Sequence, residues 1–107
     1  MNAGSSPDTG TEGFVIHITE PPIVEADTEA TAAYIRLSQT PVVRTEPYGS
    51  EQSLVMIDYD DADNVVGIEI IGQQEFSIRE LIKRVPVEAS EAVLNETRYV
   101  AADLQTV

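Results

Sequence analysis

Apolar and polar positions alternate along much of this chain. Phe14, Ile16 and Ile18 alternate with Val15, His17 and Thr19, the signature of a half-buried strand. Pro21-Pro22 ends that run, because neither ring nitrogen can donate to a ladder. Asp27-Thr28-Glu29-Ala30 predicts a turn, with the Asp27 carboxylate accepting from its own downstream backbone. Thr31 to Leu37 reads as a strand with Ala33, Ile35 and Leu37 inward and Tyr34 and Arg36 outward. The alanines and Glu29 make a helix its competitor. Val42 to Glu46 reads as a short strand, and Pro47-Tyr48-Gly49-Ser50 as a loop.

The strongest local signal is Leu54 to Ile71, LVMIDYDDADNVVGIEII. Val55, Ile57 and Tyr59 share one face of a first strand, and Val66, Ile68 and Ile70 one face of a second. Asp60-Asp61-Ala62-Asp63-Asn64 lies between them, with residues suited to turns and left-handed backbone. Gly67 predicts a bulge or a close backbone approach. Ser77-Ile78-Arg79-Glu80 is a capping box. Ile78, Leu81, Ile82 and Val85 follow at helical spacing, Lys83 and Arg84 suit the helix C-terminus, and Pro86 stops it. Beyond it the pattern thins. Glu88 to Glu96 suits a second short helix with Ser90 near its start, and Thr97 to Val107 has no clear period.

These elements predict an α+β fold: an antiparallel sheet of four to five strands between Gly13 and Ile71, in hairpins, with one C-terminal helix, Ser77 to Val85, packed on one face. Residues 1–12 are read as a disordered tail, since their small and polar side chains cannot offset ordering entropy by burial. Residues 13–86 form the single domain, and 87–107 a semi-ordered tail.

Three stretches carry a resemblance: Asp27 to Leu37, DTEATAAYIRL; Val43 to Glu46, VRTE; and Ile57 to Asp60, IDYD, followed by Asn64 to Ile70, NVVGIEI. Over roughly residues 24–72 the chain resembles the small bacterial proteins grouped as domain of unknown function 2283. It departs at Ala33, where a larger apolar residue is usual, and in the long Glu46 to Ser53 loop. The resemblance implies a compact antiparallel sheet with a packed helix and no established catalysis. Some members are similar to antitoxin-like partners of small toxin-like proteins.

Charge narrows the function classes. Nineteen acids and six bases in 107 residues give a formal net charge of −13. That charge repels phosphate backbones, so direct nucleic-acid binding is not expected and a basic protein partner is favoured. The chain has no cysteine, which excludes disulfides, thiolate metal sites and cysteine nucleophiles. The N-terminus lacks the basic and apolar regions of a signal peptide, and no apolar run spans a bilayer. A cytoplasmic protein with no membrane partner and no cofactor is expected.

Eight acids and no base lie between Thr45 and Ile78. Asp58, Asp60 and Glu69 fall at positions 1, 3 and 12 of a calcium loop, but Ala62 and Asp63 occupy positions 5 and 6, where the pattern requires a ligand and a glycine. A metal site is therefore not assigned. Asp58 and Glu69 could also share a sheet face as a carboxylate pair. A domain this small buries only about 60% of its surface and leaves little room for a cleft. An exposed pair, or one bridged by Arg36 or Arg44, is the expectation. His17 is the single histidine and lacks a nucleophile or second imidazole to work with. The serines show no nucleophile elbow. Tyr34, Tyr48, Tyr59 and Tyr99 serve equally as interface anchors or half-buried sheet residues.

The expected function is a non-enzymatic, acidic protein-interaction module, antitoxin-like or inhibitory, that binds a basic protein partner. Its partner-binding candidates are Asp58, Asp60, Asp61, Asp63 and Glu69. The alternatives are an acidic nucleic-acid mimic of phage origin, a structural homodimer, and a small metal-dependent protein.

Overall fold

The computed structural model describes residues 14–49 and 54–102. Its strands are β1 (Ile16–His17), β2 (Ile23–Asp27), β3 (Ala32–Arg36), β4 (Arg44–Pro47), β5 (Val55–Tyr59), β6 (Val65–Ile71), β7 (Val87–Glu88) and β8 (Arg98–Ala101). The helices are α1 (Ile78–Leu81), continued by one 3-10 turn (Ile82–Arg84), and α2 (Glu91–Asn95). Six strands form one sheet in the order β4-β5-β6-β3-β2-β8, and β1 pairs in parallel with β7 as a separate ribbon. The readings for residues 1–13, for 50–53 of the Glu46 to Ser53 loop and for 103–107 of the tail lie outside the described residues.

Each local signal has a visible cause. The Asp27 carboxylate accepts from the Glu29 and Ala30 amides at 3.1 and 3.0 Å, and this turn joins β2 to β3. The β5–β6 hairpin slips register between Asp58 and Tyr59. The Ser77 hydroxyl accepts from the Glu80 amide, as the capping box requires. Ser90 caps α2 in the same way through the Val93 amide.

Alternation decides the core. One face of the sheet carries Val24, Ile35, Ile68 and Ile57 in a row, with Ala33, Ile70 and Val55 beside it. Ile78, Leu81, Val85, Val87, Leu94 and Ile16 pack against these residues to form the apolar cluster. The expected inward set of Ala33 and Ile35 is buried, with Leu37 packed against it.

Five expectations are corrected. The sheet has six strands rather than four or five. It is mixed rather than antiparallel, because β8 joins β2 in parallel. The covering helix is shorter than Ser77 to Val85: after one turn it tightens to 3-10 geometry, and Val85 is extended (φ −137°, ψ 156°) before Pro86. The extended state is what proline demands of the residue before it. A second short helix shares the covering role. The Phe14-to-Ile18 run is not a strand of the main sheet but contributes the ribbon with β7, and the stretch read as a semi-ordered tail supplies an edge strand.

Candidate functional site

The face opposite the core is mostly polar, and among the described residues the helices pack on the other side. Strand register places its residues in two rows. One reads Ile23, Arg36, Gly67, Asp58, Thr45, and the other Glu25, Tyr34, Glu69, Met56, Pro47. Asp58 and Glu69, read from sequence as potential neighbours on one face, therefore do share it, in diagonal positions on the paired strands.

Tyr34 organises this face. Its ring lies across the backbone of Gly67, where a Cβ would overlap the phenol. That is the close approach the glycine predicted. Its hydroxyl donates to Asp58 Oδ2 at 2.8 Å, and the Thr45 hydroxyl donates to Asp58 Oδ1 at 2.5 Å. Burial, reinforced by the hydrogen bond to ionised Asp58, pushes the Tyr34 phenol well above its ordinary range. The phenol is therefore a fixed donor and cannot serve as a base near neutral pH.

Arg36 forms a fork on Glu25, with Nε to Oε2 at 2.6 Å and Nη2 to Oε1 at 3.2 Å. Its guanidinium also lies 5.0 Å from the centre of the Tyr34 ring. Arg44 pairs with Glu46 and Asp63 and stands 4.2 Å from the Tyr59 ring centre. Neither arginine bridges Asp58 to Glu69, so that expectation is corrected. The carboxylates nearer each guanidinium take it instead. Glu69 makes no ion pair among the described residues, and burial, with the Asp58 charge added, raises its carboxyl above the ordinary range.

The hairpin tip treats its acids unequally. Asp60 turns inward and is only 8% exposed. Its Oδ1 accepts from the Ala62 and Asn64 amides, each at 2.9 Å, and its Oδ2 from the Thr40 hydroxyl at 3.3 Å. These bonds, the Asn64 amide first, hold its carboxyl below the ordinary range. Asp63 takes left-handed backbone at φ 65° and gives its side chain to Arg44. Asp61 is exposed and makes no ion pair among the described residues. The five candidates thus separate: Asp60 closes the turn, Asp63 is bridged, Asp58 is doubly hydrogen-bonded, and Asp61 and Glu69 are unpaired among the described residues.

Among the described residues, no three potential metal ligands converge. The open grooves lie away from the Asp58–Glu69 pair. One of about 590 Å³ follows β8, and one of about 450 Å³ lies between Phe14 to Glu20 and the hairpin tip, with Asp63 at its margin. His17 is exposed, 3.5 Å from Glu88 on the ribbon. Sequence reasoning missed Tyr34, Thr45 and Glu25 as partners of this network. The signal that could have found Tyr34 was Gly67 on a strand, which implies a large side chain crossing from a neighbour.

Residues 23–72 match the model of a family described as a protein of unknown function, DUF2283. Residues 23–72 belong to this family. The matched DUF2283 segment begins at β2 and runs one residue past β6, so it contains the Tyr34 network and the acidic tip. β1, both helices and the β8 edge lie outside it. No curated protein and no solved structure matches the chain.

Proposed function

We propose that the chain is a non-enzymatic, acidic interaction module that binds a basic protein partner and acts in an antitoxin-like, inhibitory manner by masking that partner's surface. One observation carries this reading: the chain spends its own cations internally. Arg36, Arg44, Arg79 and Lys83 are held in ion pairs, and Arg84 donates to the Ile71 carbonyl and to Gln73. Of the six bases, Arg98 alone is left unengaged among the described residues. The excess of carboxylates, exposed Asp61 among them, is therefore uncompensated among the described residues. Such a field speeds association with a basic surface and selects against acidic ones.

The test is retention of lysate proteins on the immobilised full chain at low salt and again at about 1 M salt, where charges are screened beyond about 3 Å. A basic protein held at low salt and released at high salt is the expected result. Asp61→Lys, which reverses a charge at the exposed tip, should slow its association. Recovery of no basic protein at low salt overturns the reading.

A further inference from the structure

The two edges of the six-stranded sheet are finished differently. At β4, Arg44, Glu46 and Pro47 occupy the edge. Charge and proline are the usual means of preventing a further strand from pairing. At β8 the sequence is Arg-Tyr-Val-Ala, all four residues exposed, with no carboxylate and no proline. The Arg98 amide donates to the Pro22 carbonyl at 3.1 Å and the Ala102 amide to the Ala26 carbonyl at 2.9 Å. Backbone polarity alternates along a strand, so the N–H and C=O of Tyr99 and Ala101 point away from β2. Among the described residues no strand lies beyond them. The groove of about 590 Å³ follows this same edge, between Phe76 and Ala101.

We propose that this edge pairs with the same edge of a second copy of the chain, β8 antiparallel to β8, to give one continuous twelve-stranded sheet. The free backbone groups set the register. Tyr99 of each copy exchanges both hydrogen bonds with Ala101 of the other, and the two Val100 residues face each other at the two-fold axis as a non-hydrogen-bonded pair.

Charge selects a second copy as the occupant. With a net charge of −13, most faces of the chain repel their own copies, whereas β8 carries no carboxylate. In this register Arg98 stands opposite Ala102 of the second copy. The β2 neighbour of Ala102, continuing the β2–β8 register, is Asp27. Ala102 is small enough for the guanidinium to pass over it towards the acidic Asp27–Glu29 turn. The cation left unengaged within one chain thus meets the exposed Glu29 of the other, the Asp27 carboxylate being buried and bonded within its own turn.

The test uses the full chain in sedimentation over a wide concentration range, with two substitutions at the axis. The wild type should sediment at twice its 11.7 kDa mass as concentration rises. Val100→Lys places two like charges at the axis on a residue already 40% exposed, so it should remain monomeric with an unchanged circular dichroism spectrum. Val100→Cys should oxidise readily to a covalent dimer, because non-hydrogen-bonded antiparallel pairs hold their Cα atoms about 4.5 Å apart, within disulfide range. The chain has no other cysteine. Val43→Cys, beside the blunted edge and 59% exposed, should not cross-link faster than chance encounter. Monomers at every concentration, with the edge taken by another protein's strand or by none, overturn the proposal. So does a Val100→Lys dimer, or a Val100→Cys chain that cross-links no faster than Val43→Cys.

Discussion

The two faces of the sheet are made by the same strands, one residue out of phase, yet they are held together differently. On the covered face Val24, Ile35, Ile68 and Ile57 meet in a row, each at most 2% exposed, and the helices complete the packing. On the open face Arg36, Gly67, Asp58 and Thr45 occupy the neighbouring row, and directional bonds to Tyr34 and Glu25 replace packing. The covered face depends on volume. The open face depends on geometry, since its polar groups other than Glu69 each have a particular partner to satisfy.

The largest expected effect is on the covered face. Ile68 sits on the strand flanked by β5 and β3 and is fully buried. Ile68→Ala should cost about 2–5 kcal/mol through lost transfer energy and the cavity left behind, read as a lower midpoint in urea. Thr45→Ala, one row over at the exposed edge, should cost about 1 kcal/mol. Equal losses would mean that the open face is packed like a core.

Gly67 is where the open face behaves as though volume mattered. A methyl group there collides with the Tyr34 ring and hydroxyl, so Gly67→Ala should cost about 1–3 kcal/mol by overpacking. In a Tyr34→Ala background the same change should be neutral or stabilising by up to about 1 kcal/mol, because glycine is a poor strand residue. The double-mutant cycle measures this coupling. Additive effects would show that the ring does not lie on Gly67.

Removing the tyrosine hydroxyl alone tests the directional part. Tyr34→Phe keeps the ring over Gly67 and takes away the donor to Asp58 Oδ2. A loss of about 1–2 kcal/mol is expected, since the acceptor is charged and half-buried. Thermal unfolding at neutral pH checks it. No change in Tm would mean that water replaces the phenol at no cost.

The covered face was far more legible in the sequence than the open one. Period-two alternation states which side of β3, β5 and β6 is apolar. The Asp27 turn, the Ser77 cap and Pro86 are local signals whose causes lie within a few residues. β8 was not legible, because Arg98 to Ala101 is short, lacks alternation of its own and pairs with a strand 75 residues earlier. The β1–β7 ribbon failed for the same reason: Ile16 finds Val87 only through the fold. At the site, alternation put Asp58 and Glu69 on one face. The choice of partner required the β3–β6–β5 register, since Tyr34 and Asp58 are 24 residues apart. The acidic tip looked uniform in sequence, yet the backbone amides of the turn draw Asp60 inward and leave Asp61 outside.

The smallest effect separates the two kinds of carboxylate by pH. Asp60 is held below its ordinary value of 3.8, chiefly by the Asn64 amide. It stabilises the fold at neutral pH, and that contribution is lost as the pH falls below 3.8. Glu69 has the opposite sign. Burial and Asp58 raise its carboxyl above the ordinary 4.5, so the folded chain holds this proton more tightly than the unfolded one. Well below 4.5 both states are protonated and Glu69 costs nothing. As the pH rises past 4.5 the unfolded chain ionises first, and stability falls until the folded carboxyl has ionised too. Glu69→Gln removes that fall. It should leave stability below pH 4 unchanged and raise it slightly at pH 7, as read from urea midpoints at the two values. The carboxyl is only partly buried, which keeps the gain small. A variant less stable than wild type at pH 7 would mean that Glu69 has a favourable partner, and that the open face leaves none of its charges unpaired.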